Sequence, residues 1–164
     1  MEPDAAPADN SIVNETWILI DERTGLHVGW YFWLRVLDEV NRAARYGSPF
    51  GLLLLDLEGD AAPGRHGVED AESRVPSAIR TTDLGGLLGP GRVGVLLVQQ
   101  DAKSAELARE RILGRLDKSS PAGVSWAPRL YVYPDDGAEI SNLLTAGWAE
   151  RQHGGPPPAE RLPA

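Results

Sequence analysis

The run Phe50-Gly51-Leu52-Leu53-Leu54-Leu55-Asp56-Leu57, apolar without interruption until it reaches an acid, is the strongest constraint on how this chain folds. It is too short to span a bilayer, and side chains at successive strand positions point to opposite faces. Apolar residues at every position therefore describe a central strand buried on both sides, which calls for helices on both faces of a sheet. Asp56 would emerge at the strand's C-terminal end, where open α/β sheets keep their chemistry.

The flanking segments supply such helices. Residues 29–46 (GWYFWLRVLDEVNRAARY) place Phe32, Val36, Leu37, Val40 and Ala44 on one helical stripe, and Gly47-Ser48-Pro49 ends it. Val68, Ala71, Val75 and Ile79 recur at spacings of three and four, giving a second helix that Pro76 kinks or shortens. Residues 102–117 give a third, with Ala105, Ala108, Ile112 and Leu116 inward, and Ile140, Leu143, Leu144 and Trp148 mark a last one. Strand signals fall at TWILI (16–20), at VSW (124–126) and at LYVY (130–133), and GLL and VGVLLV (93–98) flank a turn at Gly89-Pro90-Gly91 as a hairpin. Residues 59–66 and 134–137 read as a loop and a turn. The alternation specifies an α/β sandwich with a mixed sheet. Residues 1–13 and the Gly/Pro-rich 154–164 read as disordered flanks of a single domain at 14–153.

Charge and composition remove several functions. With 16 Lys+Arg against 24 Asp+Glu, the net charge of −8 opposes binding of nucleic acid or anionic membrane through bulk electrostatics. The chain has no cysteine, so thiolate metal sites and thiol nucleophiles are excluded, and His27, His66 and His153 lack ligand spacing. No apolar run is long enough to cross a bilayer and the N-terminal segment is acidic where a signal peptide is basic, so a cytoplasmic location is expected.

Several strings, taken together, resemble the GGDEF domain, the catalytic domain of diguanylate cyclases. The family's D-x-L-T-G-L-x-N-R-R-x-F opening is matched by DERTGLHVGWYF (21–32), and ARYGSPF (44–50), the LLLLDLE strand and the YPDDG turn (133–137) are similar to it as well. The resemblance runs from Asp21 to about Gln152. It implies a nucleotidyl cyclase-type α/β sandwich: a central mixed, mostly antiparallel sheet flanked by helices.

The family's signature hairpin is where the chain departs. Gly89-Pro90-Gly91-Arg92-Val93 stands at the positions of Gly-Gly-Asp/Glu-Glu-Phe. Paired glycines let backbone N–H groups approach a nucleotide, whereas proline removes one donor and adds a ring. The family's acids hold a divalent metal on a triphosphate; arginine cannot ligate Mg²⁺. Asp56 matches the strand-end metal ligand, with Glu58 and Asp60 nearby, but solvated loop acids are the favoured reading of that trio. Beyond Asp56 the guanine-reading asparagine has no counterpart and the segment to Arg80 is short. The resemblance thus implies a degenerate domain without cyclase activity, requiring no cofactor.

A binding site is the alternative legacy. The family's inhibitory site for its product has an R-x-x-D core upstream of the hairpin and an arginine on the next helix; Arg80-Thr-Thr-Asp83 and Arg111 occupy those positions. An arginine fork donates to guanine O6 and N7, and a carboxylate accepts from N1–H and N2–H. The resemblance therefore implies cyclic di-GMP as ligand of Arg80, Asp83 and Arg111. Against this stands a plainer role, in which Arg80 answers a helix dipole and Asp83 organises a turn. A rival function is a ligand-independent interaction or dimerisation domain, docking a protein partner or a second copy through Trp30 and Trp33, which could instead pack in a satellite core. Trp126 and Trp148 read as core or near-core. An enzyme on another nucleotide is the least favoured, since no nucleophile–base pair is visible.

Overall fold

The computed structural model describes residues 19–59, 64–121 and 123–150. Five strands form one sheet in the order β1-β3-β4-β2-β5. They are β1 (His27–Val28), β2 (Phe50–Gly59), β3 (Leu84–Gly89), β4 (Arg92–Leu97) and β5 (Val124–Tyr133). Only the β1–β3 pairing is parallel; β3–β4, β4–β2 and β2–β5 are antiparallel. The helices are α1 (Gly29–Tyr46), α2 (Arg65–Ser73), α3 (Val75–Ala78), α4 (Ala102–Ser119) and α5 (Gly137–Glu150).

The apolar run is the spine of this arrangement. In β2, Leu53 and Leu55 point into a core shared with Ala71, Val75, Ile112 and Leu116 of α2, α3 and α4. Phe50, Leu52 and Leu54 point the other way, against Phe32, Trp33 and Val36 of α1 and Ile140 of α5. One strand thus divides two cores, which is why it has no polar position before Asp56.

Local chemistry sets the boundaries. Gly47 ends α1 in a left-handed conformation (φ 69°) with its N–H returned to the Ala43 carbonyl. Asp101 caps α4 by accepting from the Ser104 N–H at 2.8 Å. Pro76 lies in the first turn of α3, so the expected second helix is two helices broken at Arg74, where proline's missing N–H costs least. The inner face of α4 is as expected: Ala105, Ala108, Ile112 and Leu116 are buried.

Helix α1 docks through a fitted contact. Gly86 of β3 and Gly94 of β4 are register partners, and the Phe32 ring rests on both. A Cβ built on Gly86 would lie 2.4 Å from Phe32 Cβ and Cγ, and one on Gly94 would lie 2.6 Å from Cε1 and Cζ. Backbone without side chains is what lets an aromatic helix residue come this close to a sheet.

Several expectations change. Most of the TWILI strand lies outside the described residues; of its end, Leu19 is in a turn and Ile20 makes a single bridge to His27. The cause is local: Asp21 Oδ1 accepts from the N–H groups of Arg23 and Thr24, and Gly25 takes φ 73°, so the chain doubles back and the edge strand is His27–Val28. The two short strand signals at 124–133 join as one strand, β5, along the whole of β2. On α1, Leu37 (36 %) and Ala44 face outward, and Trp33, Glu39 and Ala43 are buried instead, because the helix packs on both the sheet and α5. Trp126 is buried at 5 %, whereas Trp148, expected near the core, is 38 % exposed. The flanks, Asp60 and His153 lie outside the described residues.

Candidate functional site

Three places bring chemistry-bearing residues together. The first is the approach to β3. Asp83 sits at the end of a tight turn in which its N–H donates to the Arg80 carbonyl and its Oδ2 accepts from the Arg80 N–H, both at 3.0 Å. Asp83 is thus a turn organiser, as the plainer reading held. Its side chain is nonetheless only 1 % exposed, and Oδ1 has no hydrogen-bond partner. From α4, Arg111 brings Nη2 to 3.6 Å from Asp83 Oδ2, an ion pair without hydrogen-bond geometry, and its Nε and Nη2 are buried without hydrogen-bond partners. Desolvation, together with the neighbouring Arg80 and Arg115 guanidiniums, pulls the Arg111 pKa below its ordinary value despite Asp83. The fold therefore gathers Arg80, Asp83 and Arg111 into one cluster that holds surplus positive charge and unused polar atoms.

The second place is the β3–β4 hairpin. Pro90 and Gly91 form a two-residue turn, with Gly91 at φ 70°. It is pinned from two sides: Gly91 N–H donates to Glu72 Oε1 at 2.7 Å, and the Gly91 carbonyl accepts from Leu57 N–H at 2.7 Å. Gly89 ends β3, and Val93 is wholly buried, a core residue. Burial, followed by the charges of Asp21 and Glu69, raises the Glu72 pKa against the pull of the Gly91 N–H. Glu72 was missed in the sequence, although the signal was there: an acid at the inward position of the Val68-Val75-Ile79 stripe.

At the other end of the turn, register places Asp56 directly across from Arg92. Arg92 Nε donates to Asp56 Oδ1 at 2.8 Å, and Arg129 Nη2 from β5 donates to Oδ2 at 2.9 Å. Burial alone would raise the Asp56 pKa, but the two guanidiniums outweigh it and hold the carboxyl below its usual range. A divalent cation does not fit here: both carboxylate oxygens are engaged by cations, and Arg92 stands where the resemblance puts a metal-ligating acid. Among the described residues no group of three or more His, Asp or Glu could hold a metal ion. Glu58 is exposed at the end of β2. Arg129 was invisible in the sequence, since only the β2–β5 register brings position 129 beside position 56.

The third is a pocket of about 640 Å³ between the start of α1, α2 and the end of β3. Trp30, Leu87, Leu88 and Pro90 line it, together with Glu69 and Glu72. Trp33, expected as an interface residue beside Trp30, is instead 7 % exposed, with its edge on Phe32 and its indole over Gly147, where a Cβ would lie 2.4 Å away. Helical rotation is the reason: one residue beyond Phe32, it turns toward α5. Trp30 is half-buried at the pocket. His27 Nδ1 donates to the Gly85 carbonyl and its ring stacks on Tyr31, and His66 is exposed. No helix among the described residues is long and apolar enough to cross a membrane.

No protein-family model and no curated protein matches the sequence. Solved structures do match the fold. The diguanylate cyclase SiaD of Pseudomonas aeruginosa, solved with its activator SiaC, superposes with a TM-score of 0.67 at 18% identity over 90% of this chain; this chain spans 63% of that one. The coiled coil and GGDEF domain of DgcB from Caulobacter crescentus, in complex with c-di-GMP, gives 0.65 at 11% identity, covering 89% of this chain and 86% of that one. The FimX GGDEF domain of Pseudomonas aeruginosa gives 0.64 at 16% identity, covering 84% and 96%. The chain has the fold of GGDEF domains, with the mixed α/β architecture expected from its sequence.

Proposed function

We propose that this chain is a non-catalytic GGDEF-fold module that binds cyclic di-GMP through Arg80, Asp83 and Arg111. The supporting observation is the unfinished polar cluster at those residues. A buried Asp83 oxygen and two buried Arg111 nitrogens lack hydrogen-bond partners, and such atoms are costly unless something completes them. Guanine edges and phosphates supply the complementary acceptors and donors. The surplus of guanidinium over carboxylate suits a dianionic ligand that the protein's net charge of −8 would otherwise repel. A c-di-GMP complex of a fold neighbour, DgcB, is consistent with this ligand class.

The non-catalytic part rests on Asp56. Phosphoryl transfer from a nucleoside triphosphate relies on metal ions to neutralise developing charge. Here two arginines neutralise the one strand-end acid, and the turn that follows offers Pro90 in place of a backbone donor. The ion pairs of Asp56 take the room and the charge that a metal would use.

Isothermal titration calorimetry with cyclic di-GMP, on wild type and on Arg111→Ala and Arg80→Ala, tests the binding. Wild type is expected to bind and each variant to lose affinity about tenfold or more, the equivalent of ~1.4 kcal/mol. A wild-type Kd weaker than about 100 μM, or ~−5.5 kcal/mol, removes the receptor reading. Incubation with Mg²⁺ and GTP tests the rest: cyclic di-GMP made at a rate that Asp56→Ala abolishes would sink the non-catalytic reading.

A further inference from the structure

The Arg80–Asp83–Arg111 cluster is assembled from two elements, and a bond that fixes their spacing lies beside it. Arg80 and Asp83 stand on the turn that leads into β3, whereas Arg111 comes from α4. Within the cluster the two elements meet through the 3.6 Å ion pair of Arg111 with Asp83, which lacks hydrogen-bond geometry and so tolerates sliding. The core below holds Ala78 and Ile79 together with Ala108 and Ile112, but apolar contact is non-directional and sets no register. Arg115 adds a directional bond. It stands one helical turn after Arg111 on α4, and its Nη1 donates to the Ala78 carbonyl at 3.2 Å. Ala78 is the last residue of α3, so the acceptor is a carbonyl at a helix end, where arginine is a favoured partner.

We propose that Arg115 is a positioning residue of this site: by tying the end of α3 to α4 it sets the span between the Arg80 and Arg111 guanidiniums, a role that rests on the cyclic di-GMP reading of the cluster. Arg80 follows the tethered carbonyl by two residues and Arg111 precedes the tethering side chain by one turn, so a single bond acts on both arms. Base edges and phosphates reward the right span, since charge-assisted hydrogen bonds hold only over a narrow range of distance and angle. A segment already fixed in the free protein also spares the ligand the entropy of ordering it. Arg115 is itself exposed, and with Arg80 it is one of the two cations whose charge acts on Arg111. Charge and tether are separable, because salt screens an exposed charge and leaves a hydrogen-bonded tether in place.

Arg115→Met, which keeps an apolar stem and removes the donor, tests this on the intact chain beside wild type and the conservative Arg115→Lys. Calorimetry with cyclic di-GMP is expected to show Arg115→Met binding about threefold or more weaker than wild type, with Arg115→Lys recovering most of the loss. The ratio of wild type to Arg115→Met should be the same in about 0.05 M and about 0.5 M NaCl, since the tether is not screened. In the ligand-free protein, amide hydrogen exchange at Asp83, whose N–H donates to the Arg80 carbonyl, should quicken about threefold in Arg115→Met while the Ile112 amide within α4 keeps its rate. An unchanged Kd in Arg115→Met, a loss that vanishes at high salt, or no recovery in Arg115→Lys would each overturn the positioning role while wild-type binding stands. Wild type that does not bind removes the cyclic di-GMP reading, and the role at the ligand with it. Unchanged exchange at Asp83 overturns the tether whatever the ligand does.

Discussion

Filling the glycine socket under Phe32 one methyl at a time tests how α1, and with it the pocket and hairpin, is held to the sheet. A Cβ on Gly94 would sit 2.6 Å from the far end of the Phe32 ring, while normal carbon contacts begin near ~3.5 Å, so ring or methyl must move by about 1 Å. Overpacking of that size costs roughly 1–3 kcal/mol. A Cβ on Gly86 meets Phe32 Cβ and Cγ at 2.4 Å, atoms tied to the helix backbone, so the helix itself must shift and Gly86→Ala costs more. Phe32→Leu separates the two. Leucine keeps Cβ and Cγ but lacks the ring carbons over Gly94, and alone it costs roughly 1–2 kcal/mol, less than the ~3–5 of full truncation. In the Phe32→Leu background, Gly94→Ala should therefore become neutral or favourable by about 0.5 kcal/mol, since alanine replaces a flexible strand glycine. Gly86→Ala should cost as much as before. Urea denaturation monitored by far-UV circular dichroism reads this as a midpoint loss of about 0.5–1 M for Gly94→Ala in wild type, abolished in the double variant. Equal coupling of Phe32→Leu to both glycines, or none to either, would refute the socket geometry.

Two further predictions concern acids near the hairpin. Asp56→Asn should cost about 1 kcal/mol or less at neutral pH, because the Arg92 and Arg129 side chains that pair with it are half exposed. As the folded Asp56 pKa is depressed, this advantage of wild type is present above the unfolded value near ~4 and disappears as pH falls through the folded value, which thermal melts across pH will show. Glu72 behaves oppositely. Its raised folded pKa stabilises the protein below the unfolded value, and this benefit is lost as pH rises through the folded one. Glu72→Gln retains an oxygen acceptor for Gly91 N–H and removes the desolvated charge, so its melting temperature should gain on wild type as pH rises from about 4 toward neutral.

The sequence by itself determined the layered α/β fold, because each signal for it is local. An apolar run without alternation means a strand buried twice, and Ala105, Ala108, Ile112 and Leu116 at helical spacing mean one inward face; all four are buried in α4. It also placed Arg80, Asp83 and Arg111 as candidates that the fold brings into one cluster, and Pro90 and Gly91 in a turn. What it left open depends on register and on helical rotation. Trp33 and Trp30 are three residues apart on α1 and both border the pocket, yet only packing against α5 decides that Trp33 is buried while Trp30 stays half-buried. Arg129 reaches Asp56 across 73 residues through the β2–β5 pairing, and Glu72 reaches Gly91 across 19 from a helix on one face. Periodicity specifies which side of an element is apolar, but not which residue of another element stands opposite. Only the assembled sheet turns a strand-end acid, a candidate metal ligand in the sequence, into the shared partner of two arginines.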